Sequence, residues 1–125
     1  MSHPSYTIQE AAERTGTGVH TLRYYERIGL LDPVERADNG HRRFTNRDLS
    51  WIRFLTLLRN TGMPIRRMLT FVQLERAGDS TLPARCELLE QHRQALEQSI
   101  QELMHHMSAL EGKIDYYRGL TESGE

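Results

Sequence analysis

Thr17-Gly18-Val19-His20-Thr21-Leu22-Arg23-Tyr24-Tyr25-Glu26-Arg27 is the stretch on which the fold turns. Successive helical residues step by about 100°, so Thr17, His20, Thr21, Tyr24 and Arg27 share one arc of roughly 120°, while Val19 and Leu22 point away from it. One face of the predicted helix packs, and the other presents hydroxyls, an imidazole, a phenol and a guanidinium. That outward face has the chemistry of a nucleic-acid reader: hydroxyls and Arg for phosphate oxygens, short polar groups near the helix start for base edges. A solvated surface helix has the same pattern, so the flanking segments decide between the two.

On the N-terminal side, Tyr6-Thr7-Ile8-Gln9-Glu10-Ala11-Ala12 carries a capping box, with Thr7 as N-cap and Glu10 at N3. Ile8, Ala11 and Ala12 give the helix that follows a narrow stripe of small apolar groups, which lets a second helix come close. Gly16 supplies a left-handed residue to end it, and Thr17 stands where it can cap the next helix. Two short helices joined by a glycine turn are a helix-turn-helix candidate whose second member is the quoted stretch.

On the C-terminal side, Gly29 ends that helix and Leu30-Leu31 forms an apolar anchor before Pro33. Val34-Glu35-Arg36 and His41-Arg42-Arg43-Phe44 flank Ala37-Asp38-Asn39-Gly40, a hairpin signal. Arg36, His41, Arg42 and Arg43 load this hairpin with more cationic and imidazole groups than a connector needs, and favour a wing lying on a phosphate backbone. Thr45-Asn46-Arg47-Asp48 repeats the capping box, and Leu49, Trp51, Ile52, Phe54, Leu55 and Leu58 then form a wide apolar face, the main core helix, packed under the helix-turn-helix. Gly62 breaks it. Pro64 suits N1 of a further helix with Ile65, Met68, Leu69 and Val72 on one side, and Arg59-Asn60-Thr61-Gly62-Met63-Pro64 forms a second corner able to meet a backbone.

Beyond Glu75 the chain turns polar, then a long helix starts near Pro83. Its heptad d positions are Leu82, Leu89, Leu96, Leu103, Leu110 and Tyr117, and its a positions are Cys86, Arg93, Ile100, Met107 and Ile114. A rod of roughly 54 Å, at 1.5 Å per residue, cannot bury such a stripe on so small a domain. A second copy is the simplest partner, so a homodimer is expected. The chain thus divides into a disordered start at 1–5, a winged helix-turn-helix DNA-binding domain at 6–75, a hinge at 76–81, a dimerisation helix at 82–119 and a tail at 120–125.

Composition agrees with a small core plus a two-faced helix: of 125 residues, 38% are hydrophobic and 26% charged. The net charge of −1 conceals a split, because residues 1–70 hold eleven Arg against seven acids, and residues 71–125 hold five cations against ten. The front half can meet a polyanion. Fifteen of the sixteen cations are Arg, which suits bidentate phosphate contacts. A lone cysteine, Cys86, excludes an internal disulfide and a CxxC metal pair, and no metal or cofactor is expected. With no apolar run long enough to span a bilayer and no leader-like start, a cytoplasmic protein is expected, with no membrane partner. The sequence contains no HExxH, GxSxG, phosphate-cradling glycine loop or CxxC, which argues against an enzyme. A coiled-coil adaptor would explain residues 82–118 but leaves the Arg-bearing hairpin without a purpose.

Tyr6-Thr7-Ile8, Thr21-Leu22-Arg23-Tyr24-Tyr25-Glu26, Ile28-Gly29-Leu30, Gly40-His41-Arg42-Arg43-Phe44 and Arg59-Asn60-Thr61-Gly62-Met63-Pro64, with their spacing and the terminal coiled coil, resemble the MerR family of bacterial transcription regulators. The resemblance runs from Tyr6 to about Leu120. It implies a mainly α fold: winged helix-turn-helix domains held apart by an antiparallel coiled-coil pair of long helices, with Leu89, Leu96, Ile100, Leu103, Met107, Leu110 and Ile114 in the dimer seam. It further implies Thr17, His20, Thr21, Arg23 and Tyr24 in or beside the major groove, and Arg42, Arg43, Arg59, Asn60 and Met63 on phosphates. The partners it implies are double-stranded promoter DNA and RNA polymerase. The family's mode of action is to bend and untwist promoters whose spacer is overlong, so deformability of uncontacted base pairs matters.

The sensor is less legible. Metal-sensing members carry a cysteine-bearing loop after the dimer helix and multidrug-binding members a large C-terminal domain; here Thr121-Glu122-Ser123-Gly124-Glu125 follows. The small thiol- and aldehyde-responsive members look most similar, but Leu57 stands where they carry a core-helix cysteine. Cys86, at an a position, suits a small apolar filler, and a sensing thiol is its alternative role. His105 and His106 diverge by about 100° and cannot chelate one ion from the same helix. Arg93 in the seam is expected to pair with an acid on the partner helix.

Overall fold

The computed structural model describes residues 4–32 and 43–124. The predicted hairpin tip and Arg36, His41 and Arg42 lie outside the described residues. The chain divides into two compact units, Met1–Arg85 and Cys86–Glu125. The elements are β1 (Ser5–Tyr6), α1 (Ile8–Thr15), α2 (Val19–Ile28), β2 (Phe44–Thr45), α3 (Asn46–Asn60), α4 (Ile65–Arg76), a 3-10 turn (Asp79–Thr81) and α5 (Leu82–Glu122).

Helix starts in the first unit follow the local chemistry of the sequence. The Thr7 hydroxyl accepts from the Glu10 amide at 3.2 Å, and the Thr7 amide donates to Glu10 Oε1 at 2.9 Å. The Thr7 amide foremost, and the Thr7 side chain after it, hold the Glu10 carboxyl below the ordinary carboxylate range. Thr45 and Asp48 form the same box at the start of α3. Gly16 ends α1 at φ 70, where a side chain would be strained, and its amide returns to Ala12.

The cap of α2 differs from expectation. Its N-cap is Gly18, with no side-chain bond, because the Thr17 hydroxyl faces inward and shares a 2.7 Å hydrogen bond with Thr56 of α3. An unpaired buried hydroxyl costs more than helix amides that water can satisfy.

Leu49, Ile52, Leu55 and Leu58 run along the buried side of α3 and meet Ile8 and Ala11 of α1, Leu22 and Tyr25 of α2, and Met68, Phe71 and Val72 of α4 in one core. Trp51 and Phe54 are half-buried and cluster with Phe71 at centroid distances of 5.3–6.3 Å. Trp51 also reaches the helix-turn-helix, donating to the Leu30 carbonyl at 2.9 Å. β1 and β2 pair antiparallel, Ser5 with Thr45 and Tyr6 with Phe44. Strand β1 thus includes Ser5, one residue before the expected domain start at residue 6.

Pro64 is the N-cap of α4 rather than its first helical residue, since its ψ of 148 is extended. The segment read as a hinge is a bonded corner. The Thr81 hydroxyl reaches the carbonyls of Leu74 and Gly78 at 2.5 and 2.7 Å, and Arg85 donates to Thr81 and Gly78 at 3.0 and 3.1 Å.

In the second unit α5 continues to Glu122, past the predicted end at residue 119. Leu89 and Leu96 are half-buried, whereas Ile100, Leu103, Met107, Leu110 and Ile114 are all exposed. Arg93 binds Glu90 and Glu97 of its own helix, because residues three and four apart share a helix face. The pairing raises the Arg93 pKa and lowers that of Glu90.

Candidate nucleic-acid interface

Helix α2 is anchored by Leu22 and Tyr25, both buried; burial pushes the Tyr25 phenol pKa up. The opposite side presents His20, Arg23, Tyr24 and Arg27, all exposed, at the i, i+3, i+4, i+7 spacing that makes one ridge, with Thr21 half-buried beside them. The Arg27 guanidinium lies 5.5 Å from the centre of the Tyr24 ring, a cation–aromatic contact that orders both. Arg27 is absent from the set implied by the resemblance, although its place on the outward arc is legible in the sequence.

Two residues leave the expected contact set. Thr17 is 7% exposed and its hydroxyl is committed to Thr56, so it supports the turn rather than reaching a groove. Met63 is 1% exposed: its side chain plugs the corner between α3 and α4, its amide donates to Leu58, and its carbonyl accepts from Arg59 Nη1 at 3.2 Å. An apolar plug is what a sharp corner over a small core requires. Arg59 and Asn60 are exposed beside it.

Arg43 is half-buried and donates through Nε and Nη2 to the Ser5 hydroxyl, at 3.1 and 2.6 Å, which leaves Nη1 outside that contact. Arg42 lies outside the described residues. Arg66, just after the corner in the first turn of α4, is also exposed. Both α2 and α4 begin without a side-chain cap, so their first amides are available to water or an anion.

Elsewhere the described residues offer less chemistry. Among them no group of three or more His, Cys, Asp or Glu could hold a metal ion, and no helix is long and apolar enough to cross a membrane. Cys86 is an exposed free thiol.

Residues 6–72 match the family described as MerR HTH family regulatory protein. An HTH-type transcriptional regulator of Haemophilus influenzae is 38% identical over 91% of this chain and 84% of its own. The regulator YyaN of Bacillus subtilis is 37% identical over 96% of both chains. Among solved structures, HiNmlR, a MerR family regulator lacking the sensor domain and bound to promoter DNA, is 37% identical with a TM-score of 0.84, covering 92% of this chain and 91% of its own. A MerR family regulator from Listeria monocytogenes is 41% identical with a TM-score of 0.84, over 90% of this chain and 86% of its own. These relatives are regulators of transcription, not enzymes. With its helix-turn-helix, its long terminal helix and these likenesses, the chain belongs to the MerR family of transcriptional regulators.

Proposed function

We propose that two copies of this chain, joined through α5, read double-stranded promoter DNA in the bacterial cytoplasm and control transcription by RNA polymerase through distortion of an overlong promoter spacer. The observation that carries this reading is the ridge His20, Arg23, Tyr24 and Arg27, exposed on a helix whose other face is locked by Leu22 and Tyr25. In this reading His20, Thr21, Arg23 and Tyr24 meet the major groove, Arg27 steadies Tyr24, and Arg59, Asn60, Arg42 and Arg43 meet phosphates. Support comes from the promoter-bound HiNmlR, which shares the fold over nearly the whole chain. The dimer is supported by the row Ile100, Leu103, Met107, Leu110 and Ile114, an apolar stripe too long to be left in water. An antiparallel pair would set two copies of α2 at a fixed spacing, which is how half-sites are matched. Cys86, exposed near the start of α5, remains the candidate sensor thiol.

The test is a gel-shift titration of the full chain across a salt series, using the region upstream of its own gene. Sequence-preferring binding that weakens steeply with salt is expected; no shift at low salt would overturn the reading. Arg59→Ala should weaken binding to all duplexes alike, whereas His20→Ala should relax preference at particular base pairs by about 1–3 kcal/mol. Identical effects of the two changes would contradict the assigned roles.

A further inference from the structure

We propose that Arg76 is a positioning residue for DNA reading, locking the end of α2 to the last turn of α4 and so setting the angle at which the exposed ridge is presented. This rests on the reading of α2 as the DNA-reading helix. Arg76 Nη2 donates to the Gly29 carbonyl at 2.8 Å and to Asp32 Oδ1 at 2.8 Å. Gly29 is the left-handed residue that ends α2, at φ 92. The next carbonyl, that of Leu30, is held from α3 by Trp51. Two successive carbonyls at the end of one short helix are therefore gripped from two different helices.

At its other end α2 has no side-chain cap, and the residue before Gly18 is tied to α3 through Thr56. Apolar burial of Leu22 and Tyr25 resists lifting of the helix but is non-directional, so it tolerates small rotations. Directed hydrogen bonds do not. Base-edge contacts demand placement to within about 0.5 Å and 10–20°, and Arg76 supplies such a constraint at the end of α2 that carries Arg27. The Arg76–Asp32 pair is exposed, at 43% and 78% of its side-chain surfaces, so it contributes little to folding stability. Its loss should register in reading more than in melting.

The test compares the wild-type full chain with Arg76→Ala and Arg76→Lys on two probes: a duplex enriched by the wild type from a randomised pool, and a scrambled duplex. Affinity is measured at several salt concentrations, with thermal melts alongside. Arg76→Ala is expected to lower the enriched-to-scrambled affinity ratio about tenfold, the scale of a lost base contact. Affinity for the scrambled duplex, the salt slope and the melting temperature should stay near wild type. Arg76→Lys, which keeps several donors at the same place, should recover much of the ratio. If Arg76→Ala fails to fold, Asp32→Ala takes the same readout, with a smaller expected loss because the Gly29 contact persists. A ratio equal to wild type in the folded variant overturns the proposal. So does equal weakening on both duplexes with the salt slope reduced by about 0.9, which marks a direct phosphate contact. A wild type that enriches no sequence overturns the DNA-reading assignment itself, and this inference with it.

Discussion

Thr17 and Thr56 share a hydroxyl–hydroxyl bond of 2.7 Å across 39 residues of sequence, and the pair decides what Thr17 does. Replacing Thr56 by Val strands the buried Thr17 hydroxyl, at about 1–3 kcal/mol; replacing Thr17 frees the half-buried Thr56 hydroxyl at a smaller cost, and replacing both should come close to neutral. Urea unfolding of the two single variants and the double variant checks this; additive losses would contradict the pairing. Glu10 makes a second prediction. Its pKa is depressed in the folded state, so its contribution to stability is present above the unfolded pKa and is lost as pH falls through the lower, folded value. The wild type should therefore melt above Glu10→Gln near neutral pH, with the gap closing below about pH 4.3. Parallel thermal melts across that range measure it.

Among the elements, α2 and α5 are built in opposite ways. Helix α2 buries Leu22 and Tyr25 in the core of its own unit, and Leu22→Ala should cost about 2–5 kcal/mol by the usual cavity penalty, read by denaturant titration. Helix α5 exposes Leu103 at 65% and Leu110 at 64%, as a helix does whose apolar face awaits a second chain. In the proposed dimer, Leu103→Asp with Leu110→Asp places charges in the seam and should shift sedimentation to the monomer. The Met1–Arg85 unit, whose core contains neither residue, should keep its melting behaviour.

For the whole molecule, the charge split between residues 1–70 and 71–125 puts the excess of cations in the part of the sequence that contains α2 and the excess of acids in the part that contains α5. In the proposed function, DNA would attract the first part of the sequence and repel the second. In the proposed dimer, two linked copies of α2 would bind one two-part site with high effective concentration. A fragment ending at Arg85 retains the first unit and its bonded corner but loses that linkage. Its affinity for the two-part site should fall at least about a hundredfold in a gel shift, while its far-ultraviolet spectrum remains helical.

What could be read from the sequence was whatever depends on near neighbours. The Thr7–Glu10 and Thr45–Asp48 boxes, the glycine ends at Gly16 and Gly29, and the apolar row of α5 each arise within a turn or two of helix, where residue type and spacing suffice. The outward ridge of α2 was legible for the same reason, being a matter of helical phase. Tertiary structure alone decided that Thr17 turns inward, that Met63 is a plug, that Tyr6 pairs with Phe44, and that Trp51 and Arg76 hold the end of α2. Each joins segments distant in the chain or depends on which side of a corner faces the core, and a buried donor or acceptor takes the partner that packing brings to it.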